Sequence, residues 1–583
     1  MKKNSRFLKL LSYYKRHIFI LFLLNLFSSL FLLAAPYFSK LFVDNAFLAR
    51  DFSKFLNFSI VGVAIFVFST LAKMIEDIVK NRISIRLKLN LTDRFIKKLY
   101  SLDLKFFRAK SVGENAYRLS DTEAVSNFIL EQCPSLLVDI LKLPVILGIA
   151  LWINAPMTLA LLILSPLFLI HRFYLQKKLL PIYEESWRYN AELSKKVHES
   201  FSKILIIKAL DLGLYQRHIY VRSLIKIMRW AIKSFKWAIA SSLASSFLSK
   251  AVYGAIILYG GLLIIKGRLT LGSYTAVMIY ITQLGGLLES FSYRFEYFTK
   301  DLVSLRRFFE IMDIEPQIKD DLCAKKLKSI KREVQFNNLW FGYQPEKPIF
   351  KGLNLAIPAF PRVGIVGPSG CGKTTLVNLI LRLYEPFKGQ IFLDGLDVKE
   401  ISLSSLRERI AIATQEPQLF DVSVKENISY GLKNISFEEI EEAAKIACIN
   451  DFICHLPEGY NTCLGEDACF LSGGLKQRIA LSRAILRKPD LLILDEALSS
   501  VDSFTEDKIF KNLKEKSLGL SVIVISHRLS SVCDLDRVYF LRMDGIIEEG
   551  KHEQLLAESQ LYKDFFHNQI MDPRLRGDDN DTL

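Results

Sequence analysis

The stretch RVGIVGPSGCGKTTLV, residues 362–377, decides the fold of the second half of the chain. Its first apolar residues, Val363–Val366, predict a short buried strand, and the apolar residues over 376–383 predict the start of a helix. Between them, residues 367–374 read G-x-x-x-x-G-K-T. A glycine-rich loop that joins a strand to a helix is the setting of a phosphate-binding loop, so the stretch predicts a nucleotide site.

The residue types within this loop fit the chemistry of a bound nucleotide. Gly367, Gly370 and Gly372 allow the backbone to turn its amide groups inward around the phosphates. The helix that follows directs the positive end of its dipole at the same anion. Lys373 can neutralise phosphate charge, and the hydroxyl of Thr374 can bind Mg²⁺. The loop alone does not distinguish a kinase, a GTPase and an ATPase.

The composition indicates a membrane protein with more than one domain. The chain has 583 residues, too many for one hydrophobic core, and 50% of them are hydrophobic. The net charge of +16 comes mainly from lysines and arginines in and around the apolar first half. That placement favours loops facing anionic lipid over a nucleic-acid-binding surface, so we expect no nucleic-acid partner.

Six apolar stretches in the first half are long enough to cross a membrane. They lie at about 18–37, 57–78, 134–153, 157–175, 240–265 and 273–297. The rest of the chain becomes more charged and then alternates short strands with helical segments. The predicted parts are a transmembrane domain (1–300), a linker (301–333), an α/β nucleotide-binding domain (334–570) and a polar tail (571–583).

Two long basic loops set the predicted orientation. Residues 80–132 and 172–236 are rich in Lys and Arg, whereas the intervening loops are short and carry few basic residues. By the positive-inside rule, these loops, the N-terminus and the nucleotide-binding domain face the cytoplasm, and the protein spans the cell membrane. Apolar residues recur at near-helical spacing in both loops, so we expect the membrane helices to continue beyond the membrane as amphipathic rods.

Charged residues are rare within the predicted spans. Asp139 and Lys142 are three residues apart in the third span, which allows them to pair on one face of a helix. An unpaired charge within a membrane costs several kcal/mol. The pair can therefore serve the structure or contact a substrate, and both interpretations stay open at this stage.

Two further stretches supply what the phosphate-binding loop lacks. Residues 491–502, LLILDEALSSVD, form an apolar strand that ends in Asp495, suited to hold Mg²⁺, and Glu496, suited to orient or deprotonate the attacking water. Residues 471–478, LSGGLKQR, begin a helix with a second anion-binding N-terminus. One nucleotide does not need two cradles in one chain. Two copies facing head to tail would use both, with the second capping the γ-phosphate of the partner.

With these motifs in this order, the sequence closely resembles an ATP-binding cassette (ABC) transporter over nearly its whole length. The positions that match the family's nucleotide-binding residues are Tyr343, Gly367, Pro368, Ser369, Gly370, Cys371, Gly372, Lys373, Thr374, Thr375, Ser472, Gly473, Gly474 and Asp502. Those that match the metal-binding residues are Thr374, Gln415 and Asp495, and those that match the catalytic residues are Glu496, His527 and Gln415.

The membrane half resembles the exporter branch, in which six spans are fused to one cassette. The resemblance implies a multi-domain fold: an all-α six-helix transmembrane domain plus an α/β P-loop NTPase domain. It implies ATP-driven export or flipping of an amphipathic drug, lipid or peptide, with ATP and Mg²⁺ at two composite sites of a dimer. Because Glu496 and His527 are both present, we expect a homodimer of half-transporters, and a heterodimer is the alternative.

One departure and one alternative function accompany this resemblance. Leu475 stands where the family's signature usually has Gln, but Ser472 and the backbone amides that cap a phosphate are retained. An ATP-gated channel or regulatory subunit would use the same motifs without pumping. Transport that stays proportional to ATP turnover distinguishes an exporter from such a channel. The cargo stays open at this stage.

Overall fold

The structure is a computed structural model that describes residues 12–571, apart from 110–117, 322, 360–361, 466–467, 469, 517–519, 529, 543–544 and 546. At some helical positions, chiefly within 160–180, 241–252 and 288–300, the backbone alone is described. The chain divides into two units, Met1–Glu315 and Pro316–Leu583, so the predicted linker is shared between them. All but the first residue of the predicted tail lies outside the described residues.

Six long helices build the first unit in the part of the chain that is described. They are α1 Lys15–Phe42, α2 Phe52–Tyr100, α3 Cys133–Ile153, α4 Ala155–Ser202, α5 Gly213–Ile265 and α6 Leu271–Met312. Each contains one of the six predicted spans. Short helices cover Leu104–Ala109, Asp121–Asn127 and Ile204–Ala209, and π-helical turns cover Val43–Phe47 and Phe128–Gln132.

Four of these helices are far longer than a membrane is thick. α2, α4, α5 and α6 have 49, 48, 53 and 42 residues, whereas a span needs about 20. At 1.5 Å per residue, α5 is ~80 Å long. The sharp turn between α3 and α4 arises at Asn154, whose side chain caps α4 by accepting a hydrogen bond from the Met157 amide.

Three of the helices whose placement is described are long and apolar enough to cross a membrane. They lie within Lys15–Phe47, Phe52–Tyr100 and Asp121–Ile153, and Tyr253–Ile265 is a shorter apolar stretch. The other predicted spans include positions at which only the backbone is described. Large apolar side chains on α2 and α3, such as Phe66 and Trp152, are about 70% exposed. Such exposure fits contact with lipid, which is as apolar as these side chains.

Two sheets organise the second unit. Its strands are β1 Glu333–Phe341, β2 Phe350–Pro358, β3 Val363–Val366, β4 Lys388–Leu393, β5 Leu396–Asp397, β6 Ile410–Thr414, β7 Leu491–Asp495, β8 Ser521–Ile525, β9 Arg537–Leu541 and β10 Ile547–Gly550. An antiparallel sheet has the order β2-β1-β4-β5, and a larger, mostly parallel sheet has the order β10-β9-β3-β8-β7-β6.

The second unit also contains helices. They are α7 Lys373–Ile380, α8 Leu403–Arg409, α9 Val424–Ile428, α10 Phe437–Ile446, α11 Asn450–Cys454, α12 Gly473–Leu486, α13 Ser503–Lys516, α14 Ser530–Cys533, α15 His552–Glu558 and α16 Gln560–Met571. Successive residues of β7 belong to different core clusters, Leu492 and Leu494 to one and Leu491 and Ile493 to the other. The hydrophobic core therefore lies on both faces of this sheet, as its continuous apolar strands require.

The strand order brings the segments that follow β3, β7 and β8 to one edge of the larger sheet. β3 pairs in parallel with β8 and β9, and β7 lies in parallel between β8 and β6. All residues of β3, β7 and β8 are buried. Because parallel strands end at the same edge, the segments that follow β3, β7 and β8 come together there, where ligands bind in sheets of this kind.

Candidate functional site

The phosphate-binding loop takes its shape from glycine. Gly372 immediately precedes α7 and has φ 108°, and a Cβ there would lie 2.7 Å from the Phe350 ring. A side chain at this position would therefore meet both backbone strain and a clash. Gly370 also has a left-handed φ, of 88°. The loop can thus turn tightly into α7, whose first amide groups have no partner within the helix.

Lys373 lies inside this loop. Its side chain is buried, and its ammonium group donates hydrogen bonds to the carbonyl oxygens of Gly367 at 2.7 Å and Pro368 at 3.1 Å. The positive charge is therefore held at the centre of the loop, where a phosphate group would meet it.

Two predicted magnesium ligands are adjacent. The Thr374 hydroxyl lies 3.4 Å from a carboxylate oxygen of Asp495, at the end of β7. Burial raises the pKa of Asp495, and the carboxylate of Glu496 contributes to the rise, while the hydrogen bond from Thr374 and the charge of Lys373 oppose it. A partly buried carboxylate beside a hydroxyl offers the hard oxygen ligands that Mg²⁺ prefers, and the cation would supply a missing positive charge.

The rest of the metal shell would come from elsewhere. Among the described residues, no group of three or more His, Cys, Asp and Glu side chains is placed to hold a metal ion. Mg²⁺ commonly binds through one or two protein ligands together with phosphate oxygens and water. The pair Thr374 and Asp495 fits that pattern.

Two of the three predicted catalytic residues, Glu496 and His527, meet at the same edge. Glu496 follows β7 with φ 51°, a conformation that is uncommon for a residue other than glycine, and its amide donates to the Ile525 carbonyl of β8 at 2.9 Å. A carboxylate oxygen of Glu496 lies 3.5 Å from Nδ1 of His527. Local backbone strain of this kind is often found at active sites.

Tyr343 lies beside the first turn of α7. Its hydroxyl is 3.4 Å from the Thr375 hydroxyl and accepts a hydrogen bond from the Asn378 amide at 3.2 Å. Its ring packs edge-on against Phe341 and Tyr384, with centroid distances of 5.4 and 5.1 Å. The ring is held firmly and is still 38% exposed, as a platform for a nucleotide base should be.

The signature segment begins α12. Ser472 caps this helix by accepting a hydrogen bond from the Leu475 amide, while the Leu475 side chain packs against the core. Leucine at this unusual position therefore does not disturb the cap. A Cβ at Gly474 would lie 2.6 Å from the Ser500 carbonyl, so close packing of two turns requires glycine. Asp502 caps α13 by accepting from the Thr505 amide at 2.9 Å.

Gln477 is a connecting residue that the sequence did not single out. Its amide group is buried and donates to the Gln415 carbonyl and to the Ser499 hydroxyl, both at 3.0 Å. Its oxygen accepts from the Ser500 amide at 2.9 Å. The sequence does contain a signal for this role, because Gln477 lies among the buried residues of α12, where a polar side chain needs hydrogen-bond partners. Gln415 enters this network through its backbone.

Arg528 is a second connection, directly after His527. Its guanidinium group donates to the carbonyl oxygens of Ser499 and Val501 and lies 3.7 Å from the buried carboxylate of Glu506. Burial raises the pKa of Glu506, against the hydrogen bond from Ser531 and the charge of Arg528.

The predicted residues thus form two groups. The first comprises the phosphate-binding loop (367–375), Tyr343 and Asp495, which contact Thr375 and Thr374, and Glu496, which follows Asp495 and meets His527. Residues 472–474 and Asp502 lie around the Ser499–Ser500 turn. Arg528, directly after His527, joins the two groups, and Gln477 joins the Ser499–Ser500 turn to the backbone carbonyl of Gln415, the third predicted catalytic residue.

Comparison with known proteins decides the family. The ABC transporter transmembrane region matches residues 18–288, and the ABC transporter domain matches residues 350–499. The ATP-dependent lipid A-core flippase of Syntrophus aciditrophicus (strain SB) is 32% identical over 521 residues, 89% of this chain and 86% of the flippase. The chain belongs to the ABC transporter family.

Other ABC transporters are similarly related. The leukotoxin export ATP-binding protein LtxB of Aggregatibacter actinomycetemcomitans is 30% identical over 555 residues, 95% of this chain and 78% of that protein. A bacterial Atm1-family ABC exporter solved with ATP bound superimposes with a TM-score of 0.88 at 26% identity, covering 95% of this chain and 99% of that chain.

These relationships confirm the predicted fold class, an all-α transmembrane domain fused to an α/β nucleotide-binding domain. They also confirm the general function. This ABC transporter is a membrane protein of the half-transporter exporter type, which binds ATP and couples its hydrolysis to transport.

Proposed function

We propose that two copies of this chain form a homodimeric exporter in the cell membrane. Its N-terminus and nucleotide-binding domains face the cytoplasm, and its cargo is an amphipathic molecule. The observation that carries the proposal is the pair Glu496 and His527, 3.5 Å apart at the sheet edge where the phosphate-binding loop begins. A chain that has both Glu496 and His527 does not need a different partner chain to supply either residue.

Each residue of the site has a proposed role. Lys373 and the amides of the loop bind the phosphates, and Tyr343 stacks on the base. Thr374 and Asp495, with Gln415, would hold Mg²⁺. When bound, the ion neutralises charge on the β- and γ-phosphates. Glu496 orients and deprotonates the attacking water.

His527 and the second copy complete the site. His527 would contact the γ-phosphate, since Glu496 already holds its ring near the end of β7. The N-terminus of α12 in the second copy, with the exposed cap residue Ser472, would cap the same phosphate from the opposite side. Each ATP would then belong to both chains, with Asp502 near the junction.

This arrangement supports alternating access. ATP has contacts with both chains only in the closed dimer, so it favours that state by the difference in binding free energy. After hydrolysis the contacts of the γ-phosphate are lost, and the dimer can reopen. Helices such as α5, ~80 Å long, are rigid enough to carry the movement to the membrane.

The relatives support pumping but not one cargo. One relative is named as a lipid A-core flippase and another for leukotoxin export, so the class of cargo differs among similar proteins. Both names describe movement of cargo, which favours an exporter over an ATP-gated channel.

Reconstituted vesicles test the proposal. Transport of a fluorescent amphiphile should rise in proportion to ATP turnover. Glu496→Gln should retain ATP binding and lose turnover and transport together by at least about 100-fold, since it removes the base. Asp507→Asn, on the exposed face of α13, is the control and should behave as wild type. Passive flux through Glu496→Gln with ATP bound would instead support a channel.

A further inference from the structure

A large polar cavity lies within the membrane domain. It is open on one side, has a volume of about 890 Å³ and is bordered by α1, α2, α3 and α6. Its charged lining residues in the described chain are Lys73, Asp77, Asp139, Lys142 and Arg294. Charges in a membrane helix are costly and usually line a substrate or ion pathway.

The wall formed by α2 has an excess of acid. Glu76 is buried there and accepts hydrogen bonds from Asn25 at 3.0 Å and Ser28 at 2.8 Å. Lys73 lies 3.0 Å from Glu76 and 3.6 Å from Asp77. Two carboxylates thus share one ammonium group. The side chains of Lys73 and Asp77 are 55% and 58% exposed, so both are accessible from the cavity.

The wall formed by α3 and α6 has an excess of base. Asp139 is buried and accepts from Arg294 Nε and from the Ser290 hydroxyl, both at 3.1 Å. The ammonium group of Lys142 lies 3.7 Å from the same carboxylate. Here two basic side chains share one carboxylate. With the buried Glu76 behind the α2 wall included, the described residues around the cavity carry three charges of each sign, with the excess of acid on α2 and the excess of base on α3 and α6.

The cavity lies in one half of the membrane domain. Lys73 is ~32 Å along α2 from Phe52, and Arg294 is ~35 Å along α6 from Leu271. These two helix starts lie near the same end of the domain, because α6 begins against Asp44, which directly follows α1. In the proposed orientation that end is the outer one, so the cavity is at the level of the inner leaflet.

We propose that this cavity binds the headgroup of a zwitterionic lipid. The inference rests on the proposed function and specifies its cargo. A phosphate group would lie against Lys142 and Arg294, and an ammonium group of the same headgroup would lie against Asp77. A polyanionic headgroup fits less well, because the α2 wall would repel its additional charges. A neutral amphiphile would leave the excess charge of each wall uncompensated.

The test uses the full-length dimer in nanodiscs made of a lipid whose headgroup carries no charged group. Phosphatidylethanolamine, phosphatidylglycerol and a cationic lipid with the same chains are titrated in turn, and stimulation of ATP turnover is measured. For wild type, half-maximal stimulation should need about tenfold less phosphatidylethanolamine than phosphatidylglycerol, the ratio expected for ~1.4 kcal/mol of differential binding.

Substitutions in the Lys73–Asp77 ion pair test whether the α2 wall sets the preference between lipids. Asp77→Lys makes the α2 wall positive and should reverse the preference in favour of phosphatidylglycerol. The exchange Lys73→Asp with Asp77→Lys keeps the pair and the net charge, so it should restore a preference for phosphatidylethanolamine within about threefold of wild type. Asp93→Asn is the matched control, since Asp93 pairs with Lys97 at the same spacing on α2 and is also 58% exposed. Its preference should equal that of wild type.

The possible failures are distinguishable. If wild type responds equally to the three lipids, or if Asp77→Lys leaves the preference unchanged, the zwitterion site is refuted while export of an amphiphile stands. If wild type is neither stimulated by nor transports any amphiphile, both the cargo inference and the proposed function are refuted.

Discussion

The nucleotide site and the charged cavity are both built from polar side chains, but they are assembled differently. In the nucleotide site, the groups follow β3, β7 and β8, and the backbone of one sheet edge places them. In the cavity, single side chains from separate helices meet, as Arg294 meets Asp139 across 155 positions of the chain. The backbone therefore fixes the nucleotide site, whereas the cavity can change its charges without changing its fold. Substitutions in the nucleotide site should therefore abolish nearly all ATP turnover, whereas substitutions in the cavity should change the preference among lipids by degrees.

The largest expected effect comes from Lys373→Ala. The buried ammonium group at the centre of the loop has no substitute, so ATP turnover should fall by at least about 100-fold and ATP affinity should fall with it. Fluorescent-nucleotide binding and phosphate release measure the two effects, and the exposed Lys433→Ala is the control. The contrast between the regions fails if the cavity variant Lys73→Gln abolishes ATP binding as thoroughly.

A smaller effect is expected from Gln477→Leu. The substitution leaves the Ser500 amide and the Gln415 carbonyl without partners, so the turn that joins the two groups of site residues becomes misplaced. Turnover, measured as kcat, should fall about tenfold, while KM for ATP stays near its wild-type value, because the phosphate-binding loop is untouched. A raised KM with unchanged kcat would contradict the proposed positioning role of Gln477.

The smallest effect concerns stability. Because burial raises the pKa of Asp495, the folded protein holds this proton more tightly than the unfolded chain does. The contribution of Asp495 to stability therefore decreases as the pH rises from its pKa in the unfolded chain to its higher pKa in the folded protein. At neutral pH the charged carboxylate destabilises the nucleotide-free domain. Asp495→Asn should raise the unfolding temperature by about 2 °C at pH 7 and by less near pH 4.

Thermal unfolding of the full-length protein in detergent provides this measurement, with Asp507→Asn as control. The same Asp495→Asn protein should lose the extra stability that Mg²⁺ adds to ATP, because a ligand that binds only the folded state stabilises it. If Asp495→Asn lowers the unfolding temperature without nucleotide, the carboxylate is a structural group rather than an ion-binding one.

The sequence predicted those features whose cause is local. The run Val363–Val366, the glycine-rich loop and the start of α7 appear where the pattern places them, and each apolar span lies inside a long helix. Local spacing also predicted that Asp139 and Lys142 could pair, and their charged atoms are 3.7 Å apart.

The remaining features depend on contacts between distant segments. Asp139 lies closer to Arg294 than to Lys142, and no spacing in the chain indicates this partner. The roles of Gln477 and Arg528 likewise appear only when α12 and the segment after β8 reach the Ser499–Ser500 turn. The polarity of the cavity has the same origin, since its walls combine four helices.

The central claim is that each ATP is bound by the loop of one copy and by α12 of the other. Mixed dimers purified with two affinity tags test it directly, using Lys373→Ala and Ser472→Glu, which adds a negative charge at the exposed cap of α12. With one substitution in each chain, one composite site stays intact, so turnover should be about half that of wild type. With both substitutions in one chain beside a wild-type partner, each site contains one defect, and turnover should be nearly absent. The opposite ranking of these two dimers would contradict the shared site.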